Sequence, residues 1–170
     1  MNLHIELSDI AATESFARKL AEAIDRPITI ALNGTLGAGK TQLARFLCGA
    51  LGVPAESVTS PTYVLLQRYR GEHFEIYHFD FYRLENAHQV WDLGFDELQE
   101  SSAILLVEWA EKFPETLPID HLTVRLSVPN SEDPAHDRAG GRNVEVSSSG
   151  PSSARIVQRL GELGARTSRP

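Results

Sequence analysis

Sulfur is scarce in this chain: one cysteine, Cys48, and one methionine, Met1, among 170 residues. A single thiol cannot close an internal disulfide, so stability must come from a buried core. Cys48 itself reads as a small packed residue rather than a nucleophile. Long apolar runs are missing as well. The longest, such as Ile104 to Val107, are far too short to span a bilayer. The opening residues, Met1-Asn2-Leu3-His4-Ile5-Glu6, contain neither a basic region nor a long apolar segment, so no secretory signal is expected. Cytoplasmic residence, with no membrane attachment, is the expectation. Positive charge is also in deficit. A net charge of −7 argues against a large independent nucleic-acid surface. The deficit is uneven: residues 142–170 hold five arginines against Glu145 and Glu162, a balance of +3 that leaves −10 for the rest. That basic tail reads as a solvated helix face, the alternative being a contact with an anionic partner. Metal-ligand spacing is absent among the six histidines, and His73 and His78, five apart on a presumed strand, point to opposite faces, so no zinc site is expected.

What is present is a phosphate-binding signature. Gly34-Thr35-Leu36-Gly37-Ala38-Gly39-Lys40-Thr41 fits G-x-x-x-x-G-K-[ST], the Walker A motif or P-loop. Before it runs Ile28-Thr29-Ile30-Ala31-Leu32, a β-branched apolar run that reads as a buried strand. After it come Leu43, Phe46, Leu47 and Ala50 at helical spacing, with Gly52 and Pro54 as stop signals. Strand, glycine loop and helix are the context the motif needs. The glycines let successive backbone N–H groups turn inward around phosphate oxygens, and the helix aims its unpaired amides and positive dipole end at the same point. Lys40 would reach the outer phosphates, and the Thr41 hydroxyl would ligate Mg²⁺.

The rest of the chain reads as one domain around that loop, with a size and an apolar content of 42% ordinary for a globular protein. Leu3 to Leu7 alternates like a strand, and Ser8 or Asp9 can cap a helix whose stripe is Phe16, Leu20 and Ile24. Thr62 to Tyr69 and His73 to Phe79, separated by Arg70-Gly71-Glu72, form a hairpin, so the sheet is expected to be mixed. Asn86 to Leu93 and Gly94 to Glu100 are short helical stretches, and Ala103 to Val107 is the strongest buried strand after the one before the P-loop. Leu122, Val124, Leu126 and Val128 alternate as an antiparallel strand with one face exposed. Pro129 to Gly141 reads as a loop and Arg142 to Val146 as a last strand. The division is a P-loop ATPase domain over 1–146 and, over 147–170, a flexible Ser/Gly/Pro-rich stretch with a short C-terminal helix.

Hydrolysis needs acids beside the loop. Glu108 directly follows the strand Ile104 to Val107, the position of a Walker B acid that holds the metal or orients the attacking water. Asp80 ends the Phe74 to Phe79 strand and would add a second carboxylate if the two strands are neighbours; the alternative is a strand cap paired with Arg83. Trp91 and Trp109 read as core or interface anchors, Trp109 with the further option of a docking surface beside Glu108.

Taken together, the P-loop, Ser60-Pro61-Thr62-Tyr63, His78-Phe79-Asp80-Phe81-Tyr82-Arg83-Leu84, Glu108-Trp109 and Leu117-Pro118 resemble the bacterial TsaE (YjeE) family, over roughly Ser8 to Leu126. The resemblance implies an α/β P-loop NTPase fold: a single domain with a mixed central sheet flanked by helices. It implies an ATPase, slow alone, that uses ATP and Mg²⁺ and supports threonylcarbamoyl modification of a tRNA adenosine beside the anticodon. The implied partners are TsaD and TsaB, with tRNA reached only through them. Implied roles fall on residues 34–41 for the nucleotide, on Lys40, Asp80 and Glu108 for catalysis, and on Thr41 and Glu108 for the metal. Ser60 to Tyr63 would form a switch-like loop, and Ser8 to Ile10 would touch the nucleotide outside its phosphates. The chain departs from the family where Thr35 replaces a usual Asp and Gln42 a usual second Thr.

The alternative is a small-molecule kinase using the same P-loop, with Asp137 to Arg142 as an arginine-bearing lid; no acceptor-binding signature accompanies it. A GTPase is disfavoured because no N-K-x-D motif occurs in the chain.

Overall fold

Six successive buried residues form β2 (Ile28–Asn33), the strand that leads into the glycine loop. A strand loses solvent on both faces only between two neighbouring strands and under two covering layers. On one side β2 pairs in parallel with β5 (Ala103–Glu108), which is likewise buried throughout; on the other it pairs in parallel with β6 (His121–Ser127). β4 (Glu75–Asp80) extends the parallel set beyond β5 and carries β3 (Leu66–Arg70) antiparallel at its edge. At the opposite edge β7 (Arg142–Ser148) and β1 (Asn2–Leu7) continue from β6 in antiparallel fashion. The seven-stranded order is β1-β7-β6-β2-β5-β4-β3. The computed structural model describes residues 2–59, 61–129 and 141–167.

The helices are α1 (Ile10–Ala23), α2 (Lys40–Ala50), α3 (Ala87–Asp92), α4 (Phe95–Gln99) and α5 (Pro151–Thr167). Period-two alternation divides the central strands between two cores. Ile30, Leu106, Val124 and Val146 face one way, against Phe16 and Leu20 of α1, Leu43 and Leu47 of α2, and Ile156 and Leu160 of α5. Phe79 and Val107 face the other way, against Val90, Phe95 and Phe113. There Phe95 meets Phe79 and Phe81 edge-on, with centroids 5.0 and 5.5 Å apart, the geometry that ring quadrupoles favour. Cys48 lies wholly within the first core, where burial pushes its thiol up to about 12, in keeping with an inert packed residue.

The mixed sheet is as the sequence predicts. Differences lie at the margins. Residues 62–65 form a turn rather than the start of a strand, so β3 begins only at Leu66. β6 keeps the expected alternation of burial, yet it is antiparallel on one side alone and parallel to β2 on the other. The stretch 147–153, expected to be a flexible linker, is the end of β7 and the first turn of a 17-residue helix. Its anchor is remote in sequence: the Asp120 carboxylate accepts from the Ser152 amide at 2.6 Å and the Ser153 amide at 2.9 Å. A Cβ on Gly150 would come within 2.5 Å of Asp120 Cγ, so only glycine permits this approach. Residues 130–140, within the expected loop, lie outside the described residues. Among the described residues no helix is long and apolar enough to cross a membrane.

Burial alone would raise the Asp120 carboxyl, but the Ser153 and Ser152 amides outweigh it and hold the group below its ordinary value. Its contribution is therefore present above the unfolded carboxyl pKa of about 4 and is lost as pH falls through the lower folded value. Asp120→Ala should lower stability at neutral pH by about 0.5–1 kcal/mol in urea denaturation, the low half of the capping range because the carboxylate is partly exposed. The gap between variant and wild type should close on acidification, and a gap that persisted at pH 2 would disprove the anchor.

Candidate functional site

The turn from β2 into α2 uses three glycines with positive φ: Gly34 at 139°, Gly37 at 78° and Gly39 at 104°. A side chain at Gly34 would also place its Cβ 2.3 Å from the Leu126 carbonyl oxygen, so β6 closes tightly behind the loop. Gly39 is the N-cap of α2 and has no side chain to offer, which leaves the first-turn amides unpaired within the helix and directed into the cleft. That cleft, about 280 Å³, is lined by Gly37, Gly39, Lys40, Thr41, Asp80 and Glu108, among others. A wider trough of about 600 Å³ lies across β1, β7 and β6, lined by His4, Glu6, Arg125, Asn143 and Glu145. Its charges are of both signs and its described lining comes from strands alone, so size does not identify the site; convergent chemistry does.

The acids arrive by sheet register. Asp80 and Glu108 are paired neighbours at the ends of the parallel strands β4 and β5, and Glu108 also pairs with Leu32 of β2. Both carboxylates therefore emerge beside the glycine loop, on the α2 side of the sheet, and both are 2% exposed. Thr41 Oγ1 donates to Glu108 Oε2 at 2.8 Å. Asp80 accepts from the Thr62 hydroxyl at 2.6 Å and from the Tyr82 amide at 2.9 Å. The expectation that Asp80 and Glu108 stand together is met, and the carboxylate of Asp80 is bonded to Thr62 and Tyr82 rather than to Arg83, whose guanidinium lies over the Tyr63 ring at 5.7 Å.

The family model described as threonylcarbamoyl adenosine biosynthesis protein TsaE matches residues 7–138. The chain belongs to the TsaE family. Proteins named tRNA threonylcarbamoyladenosine biosynthesis protein TsaE are similar to it: one from Rickettsia bellii is 34% identical over 132 residues, covering 75% of this chain and 88% of the relative. One from Bacillus subtilis is 36% identical over 107 residues, covering 62% and 66%. Among solved structures, the crystal structure of Bacillus subtilis YdiB superposes with a TM-score of 0.75 at 22% identity, covering 96% of this chain and 97% of that one, a likeness of fold.

Within the cleft, Lys40 is held by its own loop. Its ammonium donates to the carbonyls of Gly34 and Thr35 and sits 3.7 Å from the centroid of the Trp109 ring. Burial lowers the Lys40 pKa, opposed by the carboxylates of Glu111, Glu108 and Asp80. Thr35 is exposed, and it is its backbone carbonyl that touches Lys40. The replacement of the usual acid at Thr35 thus leaves that contact intact. Leu36 projects into solvent at 77% exposure, whereas Ala38 is buried under the loop. Gln42 lines the cleft just after Thr41.

Four participants were not legible as such. Trp109, read as an anchor or docking residue, stacks on Lys40 from a left-handed backbone at φ 59°, a conformation that a non-glycine residue adopts only under constraint. Glu111 accepts from the Gly34 amide at 2.9 Å, brought back toward the loop by the tight turn at 110–112. Its spacing three residues after Glu108 was the available signal. His78 contacts Glu108, and its position two before Asp80, on the same strand face, could have pointed to it. Arg142 donates to the Ala38 carbonyl at 2.9 Å and reaches that of Gly37 at 3.4 Å. It braces the back of the P-loop instead of closing over its mouth, so the lid imagined for a kinase loses its terminal arginine. Leu7 pairs with Arg142, which sets Ser8 to Ile10 beside this brace. Ser60 lies outside the described residues; Thr62 lines the cleft, and Tyr63 after it is 85% exposed.

The donor set suits a hard divalent cation. The Thr41 hydroxyl and Glu108 carboxylate are oxygens, and among the described residues no group of three or more His, Cys, Asp or Glu forms a self-contained metal cage. Mg²⁺ characteristically takes one or two protein oxygens and completes its shell with phosphate and water.

Proposed function

We propose that this chain binds ATP with Mg²⁺ and hydrolyses it slowly, in support of threonylcarbamoyl modification of a tRNA adenosine beside the anticodon, working with TsaD and TsaB. The observation that carries the reading is the 2.8 Å contact between Thr41 and Glu108 at the start of α2, with Lys40 adjacent. That is the meeting of a P-loop hydroxyl with a strand-end acid that phosphoryl-transfer sites require.

The roles follow from the side chains. Lys40 leaves the carbonyls of Gly34 and Thr35 and the face of Trp109 to take the outer phosphates, exchanging neutral partners for anionic oxygens. The first-turn amides of α2 bind phosphate without a charged group of their own. Thr41 and Glu108 would hold Mg²⁺, which when bound supplies neutralisation of the phosphate charge. Asp80, fixed by Thr62 and Tyr82, is positioned to orient the attacking water. The described lining of the cleft brings one cation, Lys40, against Asp80 and Glu108. A slow basal turnover suits that balance, because basic groups stabilise the charge of the transition state.

Partner dependence is supported by the rim. Leu36, Tyr63, Val64 and Tyr82 are exposed apolar side chains on the P-loop and the segments flanking the acids, and a protein partner would cover such a surface. A net charge of −7 favours reaching tRNA through other proteins rather than directly.

Three outcomes test the proposal. Lys40→Ala should weaken ATP binding at least tenfold in calorimetry; wild-type affinity would overturn the site. Glu108→Ala should reduce turnover about a hundredfold and Mg²⁺-supported nucleotide affinity by at least about tenfold, with affinity in the absence of Mg²⁺ unchanged. Equal turnover in that variant would remove Glu108 from the mechanism. Phosphate release by the isolated chain should accelerate when TsaD and TsaB are added together, and a rate indifferent to them would refute the partnership.

A further inference from the structure

His78 has no part in the chemistry above, yet it is wholly buried, and its imidazole touches the acid on which that chemistry depends. We propose that His78 is a positioning residue for the metal side of the nucleotide site: its Nε2–H holds one oxygen of Glu108 so that the other stays turned to Thr41. The inference rests on the nucleotide reading and adds to it a residue that the reading does not use.

The geometry is a three-part chain. His78 Nε2 lies 2.8 Å from Glu108 Oε1, and Glu108 Oε2 lies 2.8 Å from Thr41 Oγ1. The carboxylate is thus spanned by two donors, one from β4 and one from α2, and neither oxygen can exchange places with the other without breaking both bonds. A glutamate with one tether turns about its terminal torsion, which is broad and two-fold. The second tether removes that freedom, and a metal ligand needs it removed. Because a carboxylate accepts, the ring hydrogen belongs on Nε2.

The other ring nitrogen explains why a histidine here serves more than packing. Nδ1 is buried and has no hydrogen-bond partner among the described residues. An unsatisfied buried polar atom destabilises a fold, and an apolar side chain of similar size would avoid that cost. The surroundings are those of a core position: the Tyr69 ring lies 6.5 Å away, and Ile76, Phe79 and Asp80 of the same strand are buried. A buried imidazole with an orphaned nitrogen stabilises the fold poorly; the Glu108 bond is the one thing the ring contributes that leucine would not. Strand period completes the argument. His78 and Asp80 share a face of β4, and Asp80 pairs with Glu108 across the sheet, so one strand delivers both the second acid and the support of the first.

The test is equilibrium binding, so that it does not depend on catalysis. ADP is titrated calorimetrically into wild type, His78→Leu and His78→Gln, each in MgCl₂ and again in EDTA, with circular dichroism melts to confirm folding. Gln is chosen because its terminal amide reaches the position of Nε2. The expected result is that His78→Leu loses about tenfold in Mg²⁺-supported affinity, as loss of a ligand's hydrogen-bonded support does, while its affinity in EDTA equals that of wild type. His78→Gln should recover to within about threefold of wild type on the same scale. A Mg²⁺/EDTA affinity ratio in His78→Leu equal to that of wild type would overturn the inference, as would a Gln variant no better than Leu. Should Leu fail to fold, His78→Asn, whose amide ends short of Glu108, replaces it with the same expectation and the same overturning result. Wild type that binds ADP in neither buffer would overturn the nucleotide reading and this inference together, whereas an unchanged ratio in a binding-competent variant sinks the inference alone.

Discussion

The contact between the hydroxyl that begins one helix and the carboxylate that ends one strand is the constraint on which the rest of this structure depends. Thr41 and Glu108 are far apart in sequence, and they meet because β2 and β5 run parallel in a register that pairs Leu32 with Glu108. A slip of one residue in that pairing would turn Glu108 into the aromatic core and bring Val107 to the glycine loop. Such slips are prevented by burial. Both strands are closed to water along their length, and their alternate residues belong to two different cores, so every misregister exchanges fitted side chains on both faces.

The same arrangement concentrates charge that the rest of the fold must hold in place. Asp80, Glu108 and Glu111 surround one ammonium, and Lys40 is drawn below its ordinary pKa by burial despite them. Trp109 takes a left-handed backbone to lay its ring on that ammonium, and Tyr82 in turn lies against Trp109 with centroids 5.0 Å apart. Strain and desolvation collected in one place persist only where the surroundings over-determine them. Here the surroundings are the edge-on phenylalanines on one face, the helices α1, α2 and α5 on the other, and the Arg142 brace behind the loop.

Kinship and fold reach different distances along the chain. The family match ends at residue 138, before β7 and α5, whereas the likeness in fold to Bacillus subtilis YdiB takes in 96% of the chain. The antiparallel edge is thus integral to the architecture, and it has a task at the site: Arg142, the first residue of β7, reaches back to the carbonyls of Gly37 and Ala38. A segment in which sequence likeness fades still shapes the loop in which it is strongest.

The amino-acid sequence by itself determined the P-loop, the strand and helix that frame it, the mixed sheet and the identity of the two strand-end acids. Each of these is encoded locally, in glycine spacing, in runs of β-branched residues and in an acid placed where a buried strand stops. What it left undecided follows from the same fact. Residues 147–153 look like a linker because Ser, Gly and Pro disfavour regular structure locally, but Asp120, from a distant turn, supplies the acceptor that starts a helix there. Trp109 over Lys40, Glu111 on the Gly34 amide, His78 against Glu108 and Arg142 behind the loop are pairings across strands and turns. No spacing rule in a single chain specifies which side chains face one another once a sheet has closed; only the tertiary structure, through register and twist, decided those.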